Sequence, residues 1–587
     1  MADTLHAASE LCRAIQPAVR TGDYHLRLMA PLTAGRAVVA ALERAGVRHA
    51  FTVPGESFLE LLDALRDSSI RLVATRHEAG AGFMAEAYAQ LEGIPAVCLV
   101  TRAVGTANLS IALHTALADS APLVAIAGQA PRAFRGREAL QEVDLVATFG
   151  ALCKGAAELD EPATIARDVE TLVRAATIGR PGPVLLSLPE DALIEEVEPS
   201  PPGSFILMRA AELEASPDDA EVRAVLQRLA EARRPVVIAG AGVLRSGAVE
   251  ELAAFADAAD VPVMASWRRP DVFANESPRY LGATGLGAAR TVLPRLLEAD
   301  VILAIGTRLS QVATFDYVVP GPGTDVLHVD VAPGLRGDRL APALSIRSDA
   351  GAFLRRALEM LPSSRASAKR AGDLARDRSE YLDASALPDT GPRGPDEPVH
   401  PGTVIGVLRR RLAPGTVVTT DAGNFAGWAA RYLPLPRGSR FLGPTSGAMG
   451  YGLPAAVGAA IAGRDLGHPG GPVVALAGDG GFAMLMAELE TAVREGLRIA
   501  VIVFDNGMYG TIRMHQERAY PGRVAATDLG RIDFAAFAEA CGARGLRAAH
   551  DREVDAAIAV ALDSPGVTLV HVLTDPREIS VDITRPD

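Results

Sequence analysis

Short, almost wholly apolar runs that end in glycine-containing turns recur along the whole chain and constrain its fold most strongly. Examples are PAVCLVT (95–101), VILAIG (301–306) and IAVIVFDNG (499–507), and stretches with helical periodicity lie between such runs. A strand that is apolar on both faces has to be covered by helices on both sides, which is the arrangement of parallel sheets. The pattern therefore predicts an α/β protein of doubly wound domains with mainly parallel sheets.

The strand–helix alternation divides the 587 residues into three domains of similar size. We place these domains at 31–195, 218–362 and 401–587. The polar stretch 363–400 contains few large apolar residues, and this composition predicts a helix followed by an exposed linker. Residues 1–30 contain no strand-like run. We expect either a flexible extension there or a true start at Met29.

Composition excludes several classes of partner. The net charge is −13 and the basic residues are scattered, so we expect no nucleic-acid partner. No apolar run approaches the roughly 18 residues of a membrane helix, and the N-terminus lacks the layout of a signal peptide. The four cysteines form no CxxC pair, which is typical of thiols in a reducing compartment. We expect a cytoplasmic protein that does not bind membranes.

Two glycine turns near the C-terminus predict a metal and phosphate site. Asp479 follows the apolar run VVALAG, and Asn506 follows the next strand, 27 residues later. One strand–helix–strand crossover brings both side chains to the same edge of a parallel sheet. Their hard oxygen atoms suit Mg²⁺, which takes further ligands from phosphate and water. Gly480 and Gly481 open a helix whose N–H groups can face a phosphate. Either turn alone is equally typical of an ordinary tight turn.

The pair Gly478-Asp479-Gly480 and Asp505-Asn506 resembles the signature of thiamine-diphosphate enzymes. The resemblance implies that Asp479, Asn506 and the backbone oxygen of Met508 bind the metal ion. Asp505 departs from the asparagine that many relatives carry there, and it is not an expected ligand. We then expect both turns to contact the cofactor. The predicted site therefore also includes Gly478, Gly480, Gly481 and Tyr509.

The segment ATRHEAGAGFMAEAYA (74–89) resembles the pyrimidine-binding segment of acetohydroxyacid synthases. The resemblance implies that Glu78 is the catalytic carboxylate, which engages N1′ of the cofactor and so helps its own amino group to remove the C2 proton. A glutamate at a helix start also has an ordinary explanation, since it interacts favourably with the helix dipole. Glu86, two turns later, is the weaker candidate.

Two further segments resemble cofactor-binding parts of the same family. In TSGAMGYGLPAAVGAAIAG (445–463), Gly447 allows close approach to a flat ring, and Met449 matches the apolar residue that bends the cofactor. In TTDAGNFAGWAARYL (419–433), Gly423 and Asn424 are expected contacts of the diphosphate. Gln129, in DSAPLVAIAGQ, also matches the acetohydroxyacid synthase branch and is a candidate catalytic residue.

The sequence departs from that branch at several positions. Arg102 lies in VTRAVGTAN, which replaces a Gly-Pro-Gly loop near the active site, and His515 stands where a substrate-selecting tryptophan is expected. We take His515 as a candidate catalytic residue. The central domain resembles one that can hold FAD structurally, but GTRLSQV (306–312) keeps only Arg308 of the FAD-contacting pattern. Bound FAD and a nucleotide fold without a ligand both stay open.

The resemblance implies a thiamine-diphosphate- and Mg²⁺-dependent lyase or carboligase acting on a 2-oxo acid. After CO₂ leaves, the remaining fragment is joined to a second carbonyl compound, as in acetolactate synthesis. The alternatives are capture by a proton, which gives a simple decarboxylase, and a non-catalytic regulatory or scaffold protein. The family shares its active sites between subunits, so we expect a homodimer or homotetramer.

Overall fold

The computed structural model describes residues 32–198, 216–332, 341–361, 368–389, 393–465 and 472–584. The predicted extension 1–30 and Cys12 lie outside these ranges. Three six-stranded parallel sheets, each packed between apolar layers that include its flanking helices, confirm the predicted fold class. Within the described ranges, no helix is both long and apolar enough to cross a membrane.

The first sheet has the strand order β2-β1-β3-β4-β6-β5. Its strands are β1 (His49–Thr52), β2 (Arg71–Ala74), β3 (Ala96–Thr101), β4 (Leu123–Gln129), β5 (Gly155–Glu158) and β6 (Val184–Pro189). Its α-helices are α1 (Ala34–Arg44), α2 (Leu59–Arg66), α3 (Glu78–Glu92), α4 (Arg102–Asp119), α5 (Leu145–Phe149), α6 (Ile165–Thr177) and α7 (Glu190–Leu193).

The central sheet has the order β12-β11-β10-β7-β8-β9. Its strands are β7 (Val236–Ala239), β8 (Val263–Ala265), β9 (Tyr280–Ala283), β10 (Val301–Ile305), β11 (Asp325–Asp330) and β12 (Leu344–Arg347). Its helices are α8 (Asp219–Glu231), α9 (Ala241–Arg245), α10 (Val249–Ala259), α11 (Val292–Leu297), α12 (Ala350–Met360) and α13 (Ala368–Ala384).

The third sheet has the order β14-β13-β15-β16-β18-β17. Its strands are β13 (Val417–Thr420), β14 (Arg440–Leu442), β15 (Val473–Gly478), β16 (Ile499–Asp505), β17 (Arg544–Ala548) and β18 (Thr568–Leu573), and a hairpin of β19 (Glu578–Ser580) and β20 (Ile583–Thr584) follows. Its helices are α14 (Pro401–Arg411), α15 (Phe425–Tyr432), α16 (Gly452–Asp465), α17 (Asp479–Leu485), α18 (Glu488–Arg494), α19 (Gly510–Ala519), α20 (Phe534–Ala540) and α21 (Asp551–Asp563).

Helix α13 lies in the stretch that the sequence predicts as a helix and linker. It packs on the central domain through a buried ion pair, in which Arg295 Nε donates to Asp377 Oδ2 at 2.7 Å. The ring of Tyr381 meets that of Tyr280 edge-on, with the centroids 5.7 Å apart. The first part of 363–400 therefore contributes to the central domain, and only the residues after the helix connect it to the third.

Helices α3 and α16 join the first and third domains through a backbone contact. A Cβ atom added to Gly458 would lie 2.1 Å from the carbonyl oxygen of Met84, so only glycine fits there. Beside this contact the buried hydroxyl of Tyr451 donates to Glu86 Oε2 at 2.7 Å. Small residues on both helices thus let two domains share one core, which includes side chains from each.

Asp119, at the C-terminal end of α4, joins all three domains. Its side chain is buried and accepts a hydrogen bond from Arg269 Nη2 of the central domain at 2.7 Å. It also accepts one from Thr445 Oγ1 of the third domain at 2.7 Å. A buried carboxylate with these partners is satisfied, and removing either partner would leave a buried charge.

The close helix contact gives a stability prediction. Gly458→Ala forces a methyl group against a backbone carbonyl that cannot rotate away, so we expect a loss of about 1–3 kcal/mol. Gly463→Ala on the same helix is the matched control, because a Cβ atom there meets nothing within 4 Å. That change should be neutral or stabilising by up to about 1 kcal/mol. Thermal and urea unfolding of both variants test this, and equal stability of the two would contradict the close contact.

Candidate active site

Asp479 and Asn506 lie at the ends of neighbouring parallel strands, as the sequence predicts. The register pairs Gly478 of β15 with Phe504 of β16, so the turns that follow the two strands meet. The carboxylate of Asp479 accepts from its neighbour Gly480 N at 2.8 Å and from Gly507 N, in the other turn, at 2.9 Å. The second bond fixes the Asp479 carboxylate against the turn that carries Asn506.

The oxygen atoms at this edge suit a hard divalent cation. Asn506 Oδ1 accepts only a long hydrogen bond, 3.2 Å, from Met508 N, and the carbonyl of Met508 accepts from Gly510 N at 2.9 Å. One carboxylate, one amide oxygen and one carbonyl form the small protein ligand set that Mg²⁺ uses beside phosphate oxygens and water. In the described ranges no three His, Cys, Asp or Glu residues cluster as a metal site.

The charges around Asp479 also favour a bound cation. Burial, and then the charge of Asp505, raise the pKa of Asp479 to about 7. Burial opposes ionisation of Asp505 too, but hydrogen bonds with His571 and Asp479 outweigh it and lower its pKa. His571 Nε2 lies 2.7 Å from Asp505 Oδ2. Asp505 thus has a histidine partner, whereas Asp479 lies beside the charge of Asp505, and a divalent cation would offset the cost of ionising both.

The glycines of the first turn are required by close packing. A Cβ atom at Gly480 would lie 2.5 Å from Cε1 of Tyr509, and one at Gly481 would lie 2.5 Å from Oδ2 of Asp421. Tyr509, predicted as a cofactor contact, therefore covers the turn directly. The sequence predicts that the Gly480 N–H faces a phosphate, but in the structure this N–H donates to Asp479 instead.

A large cleft opens beside these turns. The chain order reverses between β13 and β15, and ligands of open α/β sheets bind in the crevice at such a point. The cleft has a volume of about 940 Å³, ample for a cofactor and a small substrate. Residues Gly423, Asn424 and Gly447, all predicted cofactor contacts, line it together with Thr511 and Met514.

The next residues are three predicted contacts of the cofactor ring and diphosphate, namely Asn424, Gly447 and Met449. Asn424 Nδ2 donates to the carbonyl of Ile579 at 2.9 Å, and Asn424 N donates to Thr511 Oγ1 at 3.0 Å. Gly447 has a φ of +76° and open space where a side chain would start, which fits a flat ring above it. Met449, two residues later, is half-buried.

Glu78 lies in a different place, on the first domain. It begins α3, whose N-terminus is capped by His77 Nδ1 accepting from Ala79 N at 3.0 Å. The Glu78 side chain is largely buried and accepts from Asn108 Nδ2 at 2.9 Å. Among the described residues Glu78 does not line the 940 Å³ cleft. Of the described residues, the predicted metal ligands Asp479, Asn506 and Met508 do not line this cleft either, although Gly423 and Thr511 near them do.

Glu86 is buried inside the contact between α3 and α16. Burial, and next the charge of Asp119, raise its pKa to about 8, so it is mostly protonated at neutral pH. Its bond with Tyr451 holds it in the core. Glu86 therefore has a structural position, which agrees with its lower rank in the sequence analysis.

The other predicted residues lie in three different environments. Gln129 is buried, and its side chain bonds the carbonyl of Val143 and the N–H of Ala130, both at 2.9 Å. His515 is exposed on α19, near Met514 of the cleft. Arg102 is buried, where it donates to Leu140 O at 3.0 Å and pairs with Glu190 at 2.9 Å. Catalytic roles for Gln129 and His515 stay predictions.

Three residues next to the predicted ones were missed from the sequence. Asp421 directly follows β13, is buried, and accepts from Tyr451 N at 3.0 Å. It could have been found, because it follows an apolar strand as Asp479 does. Asn108, the partner of Glu78, and His571, the partner of Asp505, had no local signal because each acts through a neighbour distant in sequence.

The central domain has its own cleft at the carboxyl ends of its strands. Arginines around it bond the C-terminal end of α4: Arg245 Nη1 donates to Ser120 O and Arg180 Nε to Ser120 Oγ, both at 2.8 Å, and Arg308 donates to Ala118 O. The turns after β7 and β10 touch each other, with Gly242 N donating to Gly306 O at 3.0 Å. These engaged groups do not fit a flavin dinucleotide.

Three domain models of the thiamine pyrophosphate enzymes match the chain. The N-terminal TPP binding domain matches 32–148, the central domain 222–357 and the C-terminal TPP binding domain 421–572. The matched order agrees with the three sheets and with the positions of Glu78 in the first domain and Asp479 in the last.

Relatives resemble the chain over almost its full length. A probable acetolactate synthase large subunit of Methanocaldococcus jannaschii is 30% identical over 92% of each chain. The acetolactate synthase isozyme 2 large subunit of Escherichia coli K12 is 31% identical over 92% of this chain and 95% of its own. Acetolactate synthase 2 (chloroplastic) of Zea mays is 32% identical over 92% and 85%. The chain thus belongs to the thiamine pyrophosphate enzymes and is related to acetolactate synthase large subunits.

Proposed function

We propose that this protein uses thiamine diphosphate and Mg²⁺ to decarboxylate a 2-oxo acid and to join the remaining fragment to a second carbonyl compound. The observation that carries the proposal is the meeting of Asp479 and Asn506 at neighbouring strand ends, beside a cleft lined by Gly423 and Gly447. The names of the relatives support the same activity, because they are acetolactate synthases.

When bound, the cofactor supplies a nucleophilic C2 atom and a thiazolium ring that accepts electrons as CO₂ leaves. Asp479, Asn506 and the Met508 carbonyl would hold the metal ion and, through it, the diphosphate. Glu78 would hold a proton against N1′ of the pyrimidine, and its bond from Asn108 fixes the carboxyl group in place. Burial of Glu78 keeps water away from that contact.

Two copies of the chain would complete each active site. Glu78 lies near Gly105 of α4, and the adjoining Val104 is an exposed apolar side chain of the first domain (50% exposed). The metal-binding turns adjoin exposed Met484 (50%) on α17 and Ile512 (52%) on α19. Exposed apolar groups around both halves of a site are typical of a subunit interface. We infer a homodimer or homotetramer in which Glu78 of one copy serves the cofactor held by the other.

The metal site is tested by cofactor binding. Thiamine diphosphate with Mg²⁺ should raise the thermal midpoint of the apoprotein, because binding at a hundredfold excess over Kd adds about 2.7 kcal/mol. Asp479→Asn should abolish that rise, since it removes the charged ligand. Asp505→Asn is the control and should keep the rise, because Asp505 is not a proposed ligand. A folded apoprotein that the cofactor does not stabilise would refute the proposal.

The role of Glu78 is tested by turnover. Glu78→Gln should retain the thermal shift with cofactor but lower CO₂ release from pyruvate about 100-fold or more, because general acid–base groups contribute that much. Glu86→Gln is the matched control on the same helix. Glu86 is mostly protonated at pH 7, so an amide should replace it with little loss. Unchanged turnover of Glu78→Gln would exclude the assignment.

Product analysis separates the carboligase from a simple decarboxylase. With pyruvate alone, a carboligase should release CO₂ and a carbon–carbon condensation product, whereas a decarboxylase gives the free aldehyde. A panel of 2-oxo acids, offered singly and in pairs, would identify donor and acceptor. His515, at the position where the family resemblance implies a tryptophan, would then be tested with His515→Trp for a change of acceptor.

We infer that the central domain has a structural role and binds no FAD, because Arg245 and Arg308 donate hydrogen bonds to the C-terminal end of α4. Purified protein should show no flavin absorbance band, and added FAD should leave the thermal midpoint unchanged and be lost on gel filtration. A stoichiometric flavin band that survives gel filtration would overturn this inference without affecting the thiamine site.

A further inference from the structure

Glu488 of the third domain is buried against the segment that precedes Glu78. It begins α18 and follows Asp479 by nine residues. Its carboxylate accepts from His77 N at 2.9 Å and from Arg76 N at 3.1 Å. Thr491 Oγ1, on the same helix, donates to it at 2.7 Å. A carboxylate of one domain thus holds the two backbone N–H groups directly before Glu78 in another.

The fit around Glu488 is too close to be an incidental contact. A Cβ atom at Gly80 would lie 2.3 Å from Glu488 Oε1, so α3 admits the carboxylate only because residue 80 is glycine. The side chain of Glu488 is fully buried, and such a group is costly unless it is hydrogen-bonded. These two N–H groups lie ahead of α3, so the bonds fix how the chain enters the helix that carries Glu78.

Two ion pairs at the edge of the same contact involve half-exposed arginine side chains rather than buried backbone N–H groups. Arg76 Nε donates to Glu490 at 2.8 Å, and Arg71 pairs with Glu495 at 2.6 Å. Both arginines are about half exposed, so these pairs contribute little and can be removed with small effect. Glu490 is therefore a natural control, since it lies two residues from Glu488 and binds the side chain of Arg76 but not the backbone.

We propose that Glu488 is a positioning residue for Glu78, acting through the backbone N–H groups of Arg76 and His77. The inference rests on the proposed function, in which Glu78 serves the cofactor of the partner copy. The third domain of each chain then has two tasks. Its strand ends hold one cofactor, and its helix α18 supports the carboxylate that acts on the other.

The test compares Glu488→Gln with Glu490→Gln in the full-length protein. An amide at 488 has one oxygen and no charge, so the charge-assisted bonds to the N–H groups of residues 76 and 77 become weaker neutral ones while the volume is kept. In the apoprotein, amide hydrogen exchange at Arg76 and His77 should become about tenfold faster or more in Glu488→Gln and stay unchanged in Glu490→Gln. This readout needs neither cofactor nor substrate.

In the loaded enzyme the effect should fall on kcat. We expect about a tenfold or greater loss of kcat for Glu488→Gln, with KM for pyruvate and the affinity for thiamine diphosphate within about threefold of the parent, because small misplacement of a catalytic group is costly. Exchange of the cofactor C2 proton should slow in parallel. Glu490→Gln should match the parent in all three. Normal kcat and C2 exchange in Glu488→Gln would overturn the proposal.

A second variant covers the case in which Glu488→Gln does not fold. Gly80→Ala keeps the carboxylate but displaces it, and should give the same faster exchange at residues 76 and 77 and the same loss of kcat. Uniformly faster exchange over the whole protein in both variants would show a merely structural role and reject the proposal. If the parent protein fails to bind thiamine diphosphate, the proposed function fails, while the exchange result still decides whether Glu488 holds the segment before Glu78.

Discussion

The backbone contact between α3 and α16 determines how the two cofactor-binding domains are arranged. Gly458 lets the helix of the third domain approach the carbonyl of Met84 in the first, and this approach brings Tyr451 to Glu86 and Glu488 to the start of α3. Each of these polar contacts is buried and depends on the helices being close. Wider separation would leave buried polar groups without partners, which is costly.

That contact also agrees with the proposal that two copies of the chain share each site. The helix that starts with Glu78 packs against the third domain, and the Glu78 carboxylate lies near Gly105, next to the exposed Val104. The third sheet places the predicted metal-binding turns at its carboxyl edge, where the reversal of chain order opens a crevice.

The sequence predicted the strands that are apolar on both faces and missed most of those at the sheet edges. The central strands β3, β4, β15 and β16 were all predicted, because a fully covered strand has to be apolar throughout. The strands β5, β9, β12, β14 and β17 were not predicted, and each lies at an edge of its sheet. An edge strand has one neighbour and is partly exposed, so its sequence carries a weaker pattern.

In the candidate site, too, the residues with a local sequence pattern were predicted, and those whose partners are distant in sequence were not. Asp479 and Asn506 were predictable because each ends an apolar strand, and a crossover of known geometry relates them. Asp505 stands where the family resemblance implies an asparagine, and the sequence gives no reason for the difference. In the structure its partner is His571, which lies on the next strand of the sheet. Glu488 has no motif of its own, since its partners are backbone N–H groups about four hundred residues earlier, a separation no local pattern can encode.

In the proposed function, the carboxylates near the predicted metal site and the carboxyl group of Glu78 make the two halves of the site depend on each other. The turns after β15 and β16 bring the carboxylates of Asp479 and Asp505 together, and a cation there would stabilise the ionised form of both. The Glu78 half buries a carboxyl group that has one amide partner in the single chain and would gain a ring nitrogen from a bound cofactor. In the proposed function, the cofactor, the metal ion and the second copy together would supply partners to both halves. Loading of the cofactor and association of subunits should therefore stabilise one another, because each removes the cost of leaving the other half incomplete.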